Sequence, residues 1–294
     1  MSNKPGTYYV PAQSSWPIIG AFALFLVAVG AGMTVQGTQS GGAVGTIGGI
    51  VLAVGFLFLL YMLAGWFSNV ITESLSGKYS SQITRSFRQG MSWFIFSEVM
   101  FFGAFFGALF YARMISVPWL GGADNNFMTN EVLWPTFEAM WPLTLTPGGE
   151  TTQAMPWQGI PLTNTILLLL SSITLHMAHI SLEQDKRTAL IVWLEITIVL
   201  AGFFLYYQAV EYVHAYQDIG LTLQSGIYGN TFFMLTGFHG LHVCLGTIFL
   251  IVLLFRIAKD HFSPKNHFAF QAGSWYWHFV DVVWLCLFVF VYVL

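Results

Sequence analysis

Apolar residues run in seven long stretches, which are separated by short polar segments and by one long segment. Each stretch reaches the roughly 20 residues that an α-helix needs to cross a hydrocarbon core of about 30 Å. The alternation over about ten residues that is typical of a membrane β-strand does not recur. The pattern therefore predicts an all-α, polytopic membrane protein. Its seven predicted transmembrane helices cover residues 16–35, 44–67, 89–112, 161–182, 189–210, 228–255 and 271–293.

The composition agrees with lipid as the main solvent. Only 8% of the 294 residues are charged, against about a quarter in soluble domains, whereas 56% are hydrophobic and 17% aromatic. The net charge of −3 is small and dispersed, which argues against a nucleic-acid partner. Cys244 and Cys286 both lie in apolar stretches, and we interpret them as buried hydrophobic side chains without a disulfide or metal.

The distribution of basic residues predicts the orientation. If the N-terminus is cytoplasmic, nine of the ten Lys and Arg residues fall on the cytoplasmic side, and Arg113 alone falls outside. The C-terminus and the long loop 113–160 are then periplasmic. Six prolines and four tryptophans lie between residues 113 and 161, so we expect a packed cap or a partner-facing segment there. The Gly-, Ser- and Thr-rich segment 36–49 is expected to be a flexible turn.

Several ionisable residues lie at membrane depth, where they are costly unless paired. His239 and His242 share a helix face, and either a metal or haem site or hydrogen bonds between helices would explain them. Because two histidines without further ligands make a weak metal motif, we favour hydrogen bonds and expect no metal. His278 and Asp281 also share a face, where Asp281 could orient the imidazole for a structural bond or for a proton relay.

Glu98 and His242 lie at compatible depths in their spans. They are about nine and thirteen residues from the inner ends, or roughly 14 and 20 Å at helical rise. The sequence therefore predicts that His242 holds the Glu98 carboxyl. His176 and His179, near the inner end of the fourth predicted span, are expected to reach water at the membrane surface. We find no nucleotide-binding or hydrolase motif and predict no catalytic residue.

Long motifs in a fixed order resemble subunit III of haem–copper cytochrome c oxidases. They are SSWPIIGA, GWFSNVITES, FIFSEVMFFGAFFGALFY, IPLTNTILLL, YGNTFFMLTGFHGLHVCLG and FAFQAGSWYWHFVDVVWL. Together they cover nearly the whole chain apart from the outer loop. The first two spans match the full-length form with seven helices and are absent from the five-helix form that is typical of quinol oxidases.

The resemblance implies two helix bundles around a cleft filled with phospholipid. Residues 1–75 would form a bundle of spans one and two, and residues 76–294, including the periplasmic loop 113–160, a bundle of spans three to seven. The partners would be subunits I and II, which carry the haem and copper, while this chain would hold no redox centre. It would stabilise subunit I and support proton uptake while electrons from cytochrome c reduce oxygen to water and drive proton pumping. Membership of a larger respiratory supercomplex is left open.

The resemblance also implies which residues line the lipid cleft. The motif GWFSNVITES would supply Trp66, Phe67, Val70, Glu73 and Ser74. Two later motifs would supply Glu98 and His242, and the end of the sixth span would supply Arg256 and Lys259. Relatives often carry basic residues where this chain has Ser68 and Thr72. The loop 113–160 is longer than in the mitochondrial form, which favours a bacterial source and the bacterial inner membrane. The alternatives are subunit III of a quinol oxidase and an independent membrane transporter.

The orientation can be tested by labelling. In a variant with Cys244 and Cys286 replaced by alanine, a membrane-impermeant thiol reagent added from the periplasm should label a cysteine placed in loop 113–160. It should not label a cysteine placed at Ser81. The opposite pattern would reverse the predicted orientation.

Overall fold

The computed structural model describes residues 9–40 and 43–294, and Lys4 lies outside the described residues. The main elements are helices joined by short loops, with one long loop between the third and fourth long helices. Their bounds are α1 (Trp16–Ser40), α2 (Ala43–Leu75), α3 (Ser81–Tyr111), a π-helical turn (Ala112–Ser116), α4 (Val117–Leu120), α5 (Phe127–Leu133), α6 (Ile160–Glu183), α7 (Arg187–Gln217), α8 (Ile227–Ala258), α9 (Phe268–Leu287) and a final π-helical segment (Phe288–Val293).

Seven of these helices are long and apolar enough to cross a membrane, which confirms the predicted all-α, seven-span fold. The predicted turn over 36–49 is wrong in the described part, because α1 continues to Ser40 and α2 begins at Ala43. Polar residues do not end α1, since the hydroxyl groups of Thr34 and Thr38 donate to carbonyl oxygens of their own helix, at 2.8 and 2.6 Å.

The third span also continues beyond its predicted end at residue 112. The π-helical turn and α4 prolong it to Leu120, so Arg113 is helical rather than part of a loop. Pro118 stands in the first turn of α4, a position at which helices tolerate a residue without an N–H group.

The chain divides into two compact units, residues 1–87 and residues 88–294. The division predicted from the sequence, 1–75 and 76–294, stays a prediction about two separate bundles. In the first unit α1 and α2 pack with their backbones in close approach. A Cβ atom on Gly48 would lie 2.5 Å from the Thr34 nitrogen, and one on Gly30 would lie 2.4 Å from the Leu52 nitrogen. Small residues therefore let the two helices pack closely. Close packing matters in lipid because the hydrophobic effect does not drive helices together there.

In the second unit α6 and α9 are joined by indole groups that reach hydroxyl groups. The Trp277 Nε1 donates to the Ser171 Oγ at 3.0 Å, and the Trp284 Nε1 donates to the Thr165 Oγ1 at 3.0 Å. Both tryptophans are almost fully buried. The hydroxyl groups also donate to backbone carbonyls of α6, so every polar atom of these contacts has a partner.

The part of α3 that belongs to the second unit contacts α8 and α9 through aromatic side chains. Phe102 packs edge-on against the His242 ring, with centroids 4.9 Å apart, and Phe101 packs against Phe238 at 5.1 Å. Phe94 stacks on Tyr276 at 6.1 Å. Long side chains thus fill the space between α3 and its neighbours and bring Glu98 towards α8.

The loop between α4 and α6 packs against the ends of α7 and α8. Of the two expectations for this loop, a packed cap and a partner-facing segment, this arrangement agrees with the first. Its Phe137, Leu143 and Met155 are buried. The Met155 N–H donates to the Tyr228 hydroxyl at 3.0 Å, and the Thr152 hydroxyl donates to the Ile219 carbonyl at 3.3 Å. The loop is therefore a packed cap on this end of the helices.

The close approach of α1 and α2 predicts different effects at two adjacent glycines. Gly48→Ala should lower the free energy of unfolding by about 1–3 kcal/mol, because its methyl group would overlap the α1 backbone. Gly49→Ala is the matched control, since nothing lies within 4 Å of its Cβ position. Unfolding in mixed micelles measures both, and equal effects would contradict the packing at Gly48.

Candidate functional site

Glu98 of α3 and His242 of α8 form an ion pair inside the second unit. The His242 Nε2 lies 3.0 Å from the Glu98 Oε2, although 144 residues separate them in the sequence. The His242 side chain is 11% exposed and the Glu98 side chain is 19% exposed. The His242 Nδ1 lies 2.6 Å from the Phe238 carbonyl oxygen. Both ring nitrogens of His242 are therefore engaged, one within its own helix and the other with α3.

The hydrogen-bond pattern determines the charge of this pair. Because the Phe238 carbonyl can only accept, the His242 Nδ1 must carry a proton. A second proton lies between the Nε2 atom and the Glu98 carboxylate, and the total charge is the same whichever of the two groups holds it. Imidazolium with carboxylate and neutral imidazole with carboxylic acid are both neutral overall. The pair can therefore occupy a dry interior without a net charge.

Aromatic rings surround the pair. The rings of Phe101, Phe102 and Tyr276 lie within 6.4 Å of the His242 ring. The Tyr276 hydroxyl donates to the His242 carbonyl oxygen at 3.2 Å, which adds a polar contact between α8 and α9. These apolar rings limit the access of water to the pair. If one of the two side chains were removed, the other would be left without a hydrogen-bond partner and its desolvation cost would not be offset.

His239 points to a different helix from His242. Its Nε2 donates to the Val280 carbonyl of α9 at 3.2 Å, and its ring packs between Phe204 and Trp284. The side chain is fully buried. Because His239 and His242 bond to α9 and α3 respectively, their positions match hydrogen bonds between helices rather than shared ligation of one metal.

His278 and Asp281 do not form the hydrogen bond that their spacing suggested. The His278 Nδ1 lies 3.8 Å from the Asp281 Oδ2 but only 2.5 Å from the Ser172 hydroxyl of α6. The His278 side chain is 39% exposed, whereas Asp281 is buried. The hydrogen bond of this ring nitrogen is therefore with Ser172 of α6, and an orienting role of Asp281 stays a prediction.

The residues of the motif GWFSNVITES lie at the end of α2 in the first unit. Trp66 and Phe67 are exposed and stack on one another, with ring centroids 5.5 Å apart. Glu73 accepts hydrogen bonds from the Tyr9 and Tyr79 hydroxyls at 3.2 and 3.0 Å. Burial, followed by the neighbouring Glu73 carboxylate, raises the pKa of Tyr79, so this hydroxyl remains a donor. Val70 and Ser74 are partly buried nearby on α2.

Arg256 and Lys259 lie at the end of α8. The Arg256 guanidinium stacks over the Phe262 ring at 4.4 Å. The nearby Asp260 carboxylate is taken by Arg187, whose Nη1 lies 2.5 Å from it and whose Nη2 donates to the Ile257 carbonyl. Within the part of the chain that the structure describes, Arg256 and Lys259 therefore have no ion-pair partner. The end of α8 presents two uncompensated positive charges.

Glu211, near the end of α7, is another carboxyl group at membrane depth. The structure buries Glu211 completely and places the Tyr292 hydroxyl 2.6 Å from its Oε1, as a donor. Tyr292 lies in the final π-helical segment, 81 residues further along the chain. A carboxyl group at membrane depth signalled that some partner must exist, but sequence spacing could not identify it.

The fold and these contacts define a polytopic helical membrane protein whose interior polar side chains join its helices. A family model described as cytochrome c oxidase subunit III matches residues 6–294. Curated relatives named cytochrome c oxidase subunit 3 include proteins of Prototheca wickerhamii and Latimeria chalumnae. The first is 40% identical over 97% of this chain and 96% of the relative, and the second is 38% identical over 99% and 98%. A relative from Equus caballus is 36% identical over 99% and 98%.

The chain therefore belongs to the cytochrome c oxidase subunit III family, which confirms the resemblance found in its motifs. It is a subunit of an oxidoreductase complex and assembles with other oxidase subunits.

A double-mutant cycle tests the Glu98–His242 pair. Glu98→Ala and His242→Ala should each lower the stability of the purified complex, because each leaves one polar group unpaired in a dry site. The double variant should lose less than the sum, with a coupling of about 0.5–3 kcal/mol. His176→Ala, at an exposed position on α6, is the control. Additive losses would show that the two side chains do not interact.

Proposed function

We propose that this chain is the non-redox core subunit III of a proton-pumping cytochrome c oxidase. In this role it stabilises subunit I, binds membrane phospholipid and sustains proton uptake while oxygen is reduced to water. The haem and copper would belong to subunits I and II. The observation that carries this proposal is the Glu98–His242 pair, because the contact between the His242 Nε2 and the Glu98 carboxylate joins α3 to α8.

The other interior polar groups support a structural role. The Trp277–Ser171, Trp284–Thr165 and Tyr292–Glu211 contacts each connect two elements of the second unit. Side chains that are committed to neighbouring helices hold those helices in one arrangement. A rigid subunit of this kind would keep the adjoining surface of subunit I, and with it the entry path for protons, in a working conformation.

Phospholipid binding is supported in each unit by different chemistry. In the second unit Arg256 and Lys259 provide two unpaired cations that suit a lipid phosphate. Burial lowers the pKa of the neighbouring His261, and the charges of Arg256 and Lys259 add to this shift. In the first unit the exposed Trp66–Phe67 stack suits acyl chains and the headgroup level.

The proposed location is the bacterial inner membrane, with the N-terminus in the cytoplasm and the C-terminus in the periplasm. The asymmetry of the basic residues supports this orientation. The end of α8, with Arg256 and Lys259, would then face the cytoplasm. The membrane-spanning character itself follows from the seven long apolar helices.

Purification of the affinity-tagged chain from its native membrane tests the function. We expect subunits I and II, a haem spectrum and oxidation of reduced cytochrome c in the same preparation. If the preparation oxidises a quinol and not cytochrome c, the chain is subunit III of a quinol oxidase. If the chain purifies alone and moves a solute in liposomes, it is a transporter and the proposal fails.

The same preparation tests the lipid contacts. Replacing both Arg256 and Lys259 with Gln should reduce the retained phospholipid and shorten the time over which turnover is sustained, because each cation near anionic headgroups contributes about 1 kcal/mol. Lys265→Gln, an exposed cation in the following loop, is the control. Unchanged lipid content in native mass spectrometry of the double variant would contradict the assignment, even if the complex is intact.

A further inference from the structure

Three side chains that could ligate a metal converge where α6 ends and α9 begins. They are His179 and Glu183 of α6 and His267, which immediately precedes α9. One ligand atom from each lies within 4.8 Å of the ligand atoms of the other two. The rings of His179 and His267 meet edge-on, with centroids 5.5 Å apart. This cluster is separate from the Glu98–His242 pair and from the cations at the end of α8.

Local structure accounts for the convergence. His179 and Glu183 are four residues apart in a helix, so both side chains lie on one face, and the His179 Nε2 is 3.7 Å from the Glu183 Oε1. His267 is the N-cap residue of α9, and the helical contacts between α6 and α9 bring it to the same place. Phe270 packs against the His179 ring at 5.5 Å and restricts its rotation.

The hydrogen bonds leave the right atoms free for ligation. The His267 Nδ1 lies 3.2 Å from the Ser263 carbonyl oxygen, so it carries the proton and the Nε2 atom keeps its lone pair. A backbone carbonyl that fixes the tautomer in this way is the usual partner of a metal-bound histidine. The His179 Nε2 is inaccessible to solvent and has no hydrogen-bond partner among the described residues. Among the described residues this nitrogen is therefore not committed to a hydrogen bond outside the cluster.

We propose that His179, Glu183 and His267 form a binding site for a divalent metal ion of the zinc class. With zinc–ligand bonds of about 2.0–2.2 Å, the ligand atoms of a tetrahedral site are about 3.4 Å apart. The 3.7 Å between the His179 Nε2 and the Glu183 Oε1 is close to this value. The other ligand atoms are at most 4.8 Å apart, and small side-chain rotations would bring them to the same separation. The Glu183 side chain is 58% exposed, which gives the ion a route of entry and leaves a fourth position for water.

The choice of metal follows from the donor atoms. Two imidazoles and one carboxylate suit zinc and its neighbours among the transition metals, whereas magnesium and calcium prefer sites made of oxygen atoms. A bound ion would tie the end of α6 to the start of α9 at the membrane surface. These two helices are already joined within the membrane by the Trp277–Ser171 and Trp284–Thr165 bonds. The ion would fix the end of this helix pair at which α6 ends and α9 begins.

Zinc binding to the intact complex tests the proposal. The complex is first treated with a chelator and then dialysed to equilibrium against micromolar radioactive zinc. We expect the wild-type complex to hold one equivalent that His179→Ala and His267→Ala lose or bind at least about tenfold more weakly, since even changes outside the ligand shell cost that much. Glu183→Gln should weaken the same equivalent, and its exposed position makes a folding defect an implausible cause.

His176→Ala is the matched control, because His176 is an exposed histidine one helical turn earlier on α6 and is not a member of the cluster. It should keep the full amount of zinc. Equal binding by the wild type and by Glu183→Gln and His267→Ala would overturn the proposal. So would a loss in His176→Ala as large as that in His179→Ala, since the zinc would then be held by surface histidines in general. The result is independent of the proposed oxidase function, which is read from the haem spectrum and turnover.

Discussion

The exclusion of water from the hydrocarbon core governs this structure. Inside the bilayer every donor and acceptor must find its partner within the protein, because no solvent can replace a missing one. The seven helices satisfy their own backbones, so the interior polar side chains remain to be paired. Three of them form contacts between elements: His242 with Glu98, His239 with the Val280 carbonyl and Tyr292 with Glu211. The same groups that are costly in lipid therefore hold the second unit together.

This constraint also separates neutral from charged groups by depth. The Glu98–His242 pair carries no net charge in either of its protonation patterns, which is what a dry site accepts. Uncompensated cations occur instead at the end of α8, where Arg256 rests on an aromatic ring and Lys259 reaches solvent. Solvation therefore determines what these polar side chains do. Those in the interior connect helices, and those at the ends of helices are available to lipid phosphates or ions.

The sequence predicted those features that depend on one helix at a time. Apolar length located the seven spans, and depth along two spans was enough to pair Glu98 with His242. Predictions were incomplete where the answer depends on how neighbouring helices are rotated, and the ends of two helices also lay beyond their predicted positions. Spacing suggested that Asp281 would bond to His278, but Ser172 of α6 lies closer. The convergence of His267 with His179 could not be predicted either, because it requires the register between α6 and α9. Glycine and threonine in 36–40 suggested a turn, yet hydroxyl bonds to the helix backbone keep α1 helical.

The two bonds between tryptophans of α9 and hydroxyls of α6 have a consequence for biogenesis. Ser171 and Thr165 each donate to a carbonyl of their own helix, so α6 can be inserted into the bilayer alone without stranding a hydroxyl proton. Their oxygen lone pairs become useful only when α9 arrives with its two indole N–H groups. A rotation of α9 about its own axis by one residue position, about 100°, would turn both indoles away from α6 and leave both N–H groups without these partners. The hydroxyl groups of α6 are thus satisfied before α9 arrives, while the indole groups of α9 are satisfied only in one alignment of the two helices.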